Sequence, residues 1–303
     1  MRPLSVFLVC AALVSTVALS GCLNSQTVTG PKYSNDVVSI EDYYVSNLKP
    51  YAGSQVQVDF TLQNNGDNPV DSITLDVNPA SGMPVVSLLC QGTVSSEKDG
   101  VNSCVFGVLE SNDIRSVSIT LEAPPATKPT SFPVSYSVMY VYTAYRTASL
   151  PVVDGTTLRK ATSAYSQSTP SYSPIRMDFQ VPPRAQHKEG DTIVNEYWGV
   201  KGEPFEVSFS FTDVSSGKYK TINPTVPARG IVLGMEGLQR ADLPCDFDTN
   251  LVSSVDVKVP GKLRCSFVST DFAEPEIFAT LSASYTFNYA YAKTDTFNVQ
   301  PLS

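Results

Sequence analysis

Apolar and polar residues alternate along most of this chain with a period of two. Val56, Val58, Phe60 and Leu62 are interleaved with Gln57, Asp59 and Thr61. Ile73, Leu75 and Val77 alternate in the same way, as do Val117, Ile119 and Leu121. A later run puts Val134, Tyr136, Val138, Tyr140 and Tyr142 on one face, and another does so with Leu281, Ala283, Tyr285, Phe287, Tyr289 and Tyr291. Successive side chains of a strand point to opposite faces, so each run predicts a strand with one buried side. Asn64-Asn65-Gly66-Asp67-Asn68-Pro69 separates two such runs and reads as a turn, because Asn and Gly accept positive φ. No segment beyond residue 22 sustains a period of 3.6. Short strands divided by turn residues predict an all-β, antiparallel sandwich architecture.

The strands come in two sets. Gly53, Val56, Val58, Phe60 and Leu62 match Gly202, Phe205, Val207, Phe209 and Phe211 at an offset of 149. Pro79-Ala80-Ser81-Gly82 matches Pro227-Ala228-Arg229-Gly230 at 148, and Val134–Tyr142 matches Leu281–Tyr289 at 147. The last match runs on through Arg146 and Lys293 to Val152 and Val299. Three matches in order at nearly constant offset argue for a tandem duplication. The boundaries read from it are a first domain over 37–152, a Ser/Thr/Pro-rich linker over 153–174 and a second domain over 175–303.

The start of the chain breaks this pattern. Met1-Arg2 is followed by a run from Leu4 to Leu19 that is apolar apart from Ser5, Ser15 and Thr16. It is short for a bilayer about 30 Å thick and suits the apolar region of a signal peptide. The run ends in Leu19-Ser20-Gly21-Cys22, which resembles the bacterial lipobox. That resemblance implies cleavage of residues 1–21 as a lipoprotein signal peptide. Cys22 then becomes the new N-terminus and carries fatty-acyl chains such as palmitate. Residues 22–36 are polar and read as a flexible tether. The expected location is the cell membrane or envelope, extracytoplasmic and lipid-anchored, with the membrane as one partner.

Six cysteines are present. Cys10 leaves with the signal and Cys22 takes lipid, so Cys90, Cys104, Cys245 and Cys265 remain. An exported chain with four free cysteines predicts two disulfides, in one of three pairings. The duplication selects Cys90–Cys104 and Cys245–Cys265, with Cys104-Val105-Phe106 mirroring Cys265-Ser266-Phe267.

The strand, Asn-rich turn, strand pattern with a late strand of alternating aromatics resembles the Ig-like repeats of bacterial and archaeal adhesion and surface-layer-associated proteins. The resemblance implies two tandem Ig-like β-sandwiches, scaffolding or binding at the surface, and no catalysis.

Composition narrows the function further. A formal net charge of −8 argues against a nucleic-acid partner. The single histidine, His187, excludes a centre built on several histidines. No Gly-x-Ser-x-Gly elbow, phosphate loop or dinucleotide fingerprint occurs. Asp246-Phe247-Asp248-Thr249-Asn250 has the alternation of a calcium loop, but Leu251 and Val257 stand where that loop needs Gly and Glu. No cofactor or metal is expected, and the alternating tyrosines read as core.

The repeats differ most just before the matched glycine. The second contains an insertion with Pro182, Pro183, Arg184, His187, Tyr197 and the only tryptophan, Trp198. Tyr, Trp and Arg are enriched at binding hot spots, so Arg184, Tyr197 and Trp198 are the candidate contact residues for an envelope or extracellular protein partner. The leading expectation is a non-catalytic surface scaffold or adhesin-like module. Two alternatives are a carbohydrate- or small-ligand-binding lipoprotein and, third, a secreted jelly-roll hydrolase.

Overall fold

The computed structural model describes residues 36–79, 83–91, 94–98, 101–222, 224–241, 245–246, 254–257 and 262–302. Cys22, the signal region and the tether up to residue 35 lie outside the described residues. The described chain is all-β, with one 3-10 turn at Ala228–Gly230.

The first repeat contributes β1 (Val38–Val45), β2 (Gln55–Asn64), β3 (Asp71–Pro79), β4 (Val85–Cys90), β5 (Val94–Lys98), β6 (Val101–Phe106), β7 (Ile114–Glu122) and β8 (Thr130–Val153). A short β9 (Ser166–Gln167) follows. The second contributes β10 (Ile175–Gln180), β11 (Ala185–Glu189), β12 (Thr192–Glu196), β13 (Gly199–Val200), β14 (Phe205–Asp213), β15 (Lys220–Thr221), β16 (Thr225–Pro227), β17 (Ile231–Glu236), β18 (Leu238–Arg240), β19 (Ser254–Asp256), β20 (Lys262–Ser269) and β21 (Glu276–Val299). The apolar members of every alternating run named above are buried.

Each repeat owns one four-stranded sheet, β1-β2-β7-β4 in the first and β10-β14-β20-β18 in the second. The opposing layer is common property. An eleven-stranded sheet runs β19-β16-β21-β8-β3-β6-β5, with four short strands joined at its sides. Its seam is the antiparallel pairing of β8 with β21 along all 24 residues of each, from Thr130↔Val299 to Val153↔Glu276. Alone, β8 and β21 would each be a long sheet edge with a row of unpaired backbone groups, which invites aggregation. Pairing them removes both edges.

The duplication is visible in detail. Gly53 and Gly202 both take φ +74, the left-handed region that favours glycine, which explains why this match survives. Asn64 Oδ1 accepts from Gly66 N at 2.8 Å, and the counterpart Asp213 Oδ1 accepts from Ser215 N at 3.0 Å, so both repeats keep one Asx turn. Tyr51 bridges Gln300 in parallel, as Val200 bridges Val153.

The repeats nevertheless form one unit, Asn35–Ser303, where the sequence suggested two domains on a linker. The reason is the length of the last strands. Each reaches past its own sandwich into the other. Ala148 and Leu150 of β8 pack with Phe179, Phe205 and Val207 of the second repeat. Val299 of β21 packs with Ala52 and Ala123 of the first. The matched basic residues Arg146 and Lys293 lie on the inward rows of these strands. Arg146 pairs with Asp178 of β10 at 3.3 Å, while Lys293 pairs with Asp295 at 2.9 Å beneath Tyr43 of β1. Burial pushes the Lys293 ammonium down to about 8 and the Asp295 carboxyl up to about 6.

The disulfides Cys90–Cys104 and Cys245–Cys265 both form. They are not structural counterparts, although the sequence match paired them. Cys104 lies on β6 of the shared sheet, so the first bridge ties two sheets. Cys265 lies on β20, and its partner Cys245 lies outside the strands, next to Asp246, whose N donates to Arg264 O of β20 at 3.0 Å.

A shared core predicts a single unfolding transition. Asn64 is fully buried and its Nδ2 also donates to Asn68 O and Leu109 O, at 3.0 and 2.9 Å. Asn64→Ala removes the side-chain partner of Gly66 N and Asn68 O and leaves Leu109 O only its bond from Val70 N, and is expected to destabilise by about 3 kcal/mol. The urea midpoint read by emission of Trp198, in the other repeat, should fall together with that read by circular dichroism. An unmoved tryptophan midpoint would mean that the repeats unfold separately.

Candidate functional site

The insertion between β10 and β14 stands outside the repeat pattern. Val181-Pro182-Pro183 leaves β10, and Pro cannot donate to a ladder, so pairing ends there. The chain then turns out as the hairpin β11–β12, a separate two-stranded sheet whose tip is Gly190 at φ +62. An isolated hairpin is marginal in water. This one is held at its base, where Arg184 N donates to Glu196 O at 2.8 Å. Glu196 also receives Lys160 Nζ at 2.5 Å and His187 Nδ1 at 3.1 Å. The Lys160 hydrogen bond, followed by the charges of Lys160 and His187, holds Glu196 below the usual carboxylate range. His187 is thus part of the hairpin's base.

After the hairpin the chain returns through Tyr197-Trp198 to β13, which pairs in parallel with the end of β8. Lys201 N donates to Val153 O at 2.8 Å, and Glu203 N to Val200 O at 3.0 Å around Gly202. Lys201 Nζ reaches Asp271 Oδ1 at 2.5 Å and lies 5.1 Å from the Phe272 ring centroid. The segment is therefore tied to the shared sheet along its length. A side chain at Gly199 would meet Val152 at 3.2 Å and Phe205 at 3.5 Å, so glycine allows the close approach.

This return path and the departing prolines enclose a pocket of about 250 Å³. Its apolar walls include Pro182, Pro183, Trp198 and Phe205, and its polar members are Arg184, Glu203 and Glu206. Arg184 is ion-paired with Glu203 through Nη2 and Oε2, and Glu206 faces Arg264 at 3.8 Å. Trp198 is half-buried. Among the described residues its buried indole Nε1 has no hydrogen-bond partner.

Two of the three sequence-predicted contact residues, Arg184 and Trp198, thus meet at one pocket. Tyr197 does not line it; its ring packs against Tyr165 with centroids 5.4 Å apart. Glu203, Phe205 and Glu206 were not singled out from sequence, because they lie in the matched stretch at the start of β14 and carry no motif. Asp246 of the calcium-like stretch lies alongside β20, its Oδ2 accepting from Arg264 N at 2.9 Å and its N donating to Arg264 O at 3.0 Å, and residues 247–250 lie outside the described residues. Among the described residues no helix is long and apolar enough to cross a membrane.

No protein family and no curated protein matches the chain. Among solved structures, it is similar to the alkylpurine DNA glycosylase AlkC of Pseudomonas fluorescens, at 16% identity and TM-score 0.22, covering 34% of this chain. The chain spans 27% of that enzyme. The chitin-binding domain of a Pyrococcus furiosus chitinase shows 19% identity and TM-score 0.23, with 33% of this chain and 88% of that domain covered. Domains D2 and D3 of the pilin SpaD from Corynebacterium diphtheriae show 11% identity and TM-score 0.28, covering 60% and 85%. At such scores none of these likenesses bears on function.

If Glu196 anchors the hairpin, Glu196→Ala should speed amide hydrogen exchange across residues 185–196 and leave β8 and β21 as protected as before. Mass-spectrometric exchange on peptides from both regions checks this.

Proposed function

We propose that this chain is a non-catalytic, lipid-anchored module of the extracytoplasmic cell surface, acting as an envelope scaffold or adhesin-like binder. The observation that carries the reading is a rigid all-β body with two formed disulfides behind a lipobox. Disulfides persist in oxidising compartments, and acyl chains on Cys22 would hold the body at the membrane without a spanning helix. The fused sheet suits a scaffold, since β8 and β21 leave no hinge between the repeats. The β11–β12 hairpin and the residues around Arg184, Tyr197 and Trp198 form the surface offered to an envelope or extracellular protein.

A second reading, ligand capture by a surface lipoprotein, is favoured by one feature: the pocket lined by Trp198.

The anchor is tested by feeding cells an alkyne-bearing fatty acid. The wild-type chain should incorporate it and fractionate with membranes, and Cys22→Ser should do neither. Label retained in Cys22→Ser would refute the anchor. Crosslinking on intact cells, with Tyr197 and Trp198 replaced by Ala as the comparison, tests the contact surface. Unchanged recovery of crosslinked neighbours would remove it.

A further inference from the structure

We infer that the β8–β21 seam is a dimer interface enclosed within one chain, and that the matching repeat of a second copy of this chain fits it as the chain's own repeat does. This association between copies is independent of the surface-module reading.

The register of the seam carries it. The offset of 147 takes Val141 onto Asn288, and these two residues pair with each other near the middle of the ladder. On either side the pairs are reciprocal. Tyr140 pairs with Tyr289, the counterpart of Tyr142, while Tyr142 pairs with Phe287, the counterpart of Tyr140. Tyr136 pairs with Lys293, and their counterparts Ala283 and Arg146 pair in turn. The reciprocity reaches the strand ends. Ala52 N donates to Gln300 O at 2.9 Å, and the matched Lys201 N donates to Val153 O at 2.8 Å. An interface in which each contact recurs between the counterparts of its two residues is isologous, the arrangement of a two-fold dimer. A contact between unlike faces would not set equivalent residues opposite each other.

Among the described residues the two disulfides stay within their own repeats, Cys90–Cys104 in the first and Cys245–Cys265 in the second. Residues 154–174 are therefore the covalent link between the repeats. The link acts by keeping them close: a tethered partner has an effective concentration in the millimolar range, which holds the pairing within one chain. Gly155, Thr156 and Thr157 of this link are exposed, so it can be opened there without touching the seam. Once it is opened, the partner repeat of another copy competes on equal terms. Separation without a replacement would leave β8 and β21 as bare edges, so the repeats stay paired and trade partners.

The experiment inserts a protease-recognition sequence between Thr156 and Thr157 of the full chain and cuts the folded protein there. At about 1 µM the two pieces are expected to elute as one particle with the mass of the uncut chain. Amide exchange on peptides from β8 and β21 should stay as slow as before the cut. Cut samples of ordinary and heavy-isotope protein are then mixed, taken to the urea midpoint and returned. Native mass spectrometry should find hybrid particles, one ordinary piece with one heavy piece, in the proportion that random re-pairing gives. Pieces that elute apart or aggregate, exchange that quickens at β8 and β21, or re-formed particles without hybrids would overturn the inference. Fatty-acid labelling of Cys22 and crosslinked neighbours are read independently, so the surface-module reading stands or falls apart from this result.

Discussion

The structure depends on one ladder. β8 and β21 run antiparallel for their full length, and almost everything else is arranged around that seam. Their inward rows supply the largest buried side chains, among them Tyr136, Tyr140, Tyr142, Tyr285, Tyr289 and Tyr291. Their outward rows are rich in Ser and Thr, with Ser135 bonded to Thr294 at 2.9 Å and Thr143 to Thr286 at 2.8 Å, beside the exposed Met139, Tyr145 and Phe278. The inward row of aromatic and aliphatic side chains fixes the register, because a slip of one residue would turn that row to the outer face. The cost of the arrangement is also visible. Among the described residues the buried hydroxyls of Tyr136, Tyr140 and Tyr291 and Nη1 of Arg146 have no hydrogen-bond partner.

The strands were legible in the sequence because burial on one face leaves a period of two. The Asx turn and the matched glycines were legible because each needs a particular residue type. The merger was not, since no local pattern says which strand lies across an edge. Two clues existed in the length of the last match and in the basic residues it kept, Arg146 and Lys293. On the inner face of an isolated sandwich, either would be an odd choice. Their role appears only once Asp178 and Tyr43, from the opposite repeats, stand beside them. The disulfide pairing followed from the duplication, yet the strands carrying the second cysteines did not. In the first repeat the hairpin β5–β6 intervenes before β7, so a shared Cys-x-Phe pattern falls on different sheets.

The candidate site was half legible. Rare residues in an insertion drew attention to Arg184, Tyr197 and Trp198. Sequence could not say that Tyr197 would turn to Tyr165, or that the far wall would come from Phe205 and Glu203 on the conserved frame. The candidate pocket combines two parts. A duplicated scaffold gives position, through β13 on β8, and an insertion gives chemistry. Rigidity at the back of the pocket lowers the ordering cost that a ligand must offset.

The exchanged strand ends also govern the order of events as the chain folds. Neither sandwich has its full complement of core residues until 276–299 arrive, because Phe297 and Val299 complete the first and Leu281 and Tyr285 the second. Contacts that join residue 52 to 299 span most of the polypeptide, and such distant closures form late. A chain that still lacks its last residues therefore has no finished domain, and it locks into shape only once the whole polypeptide is available.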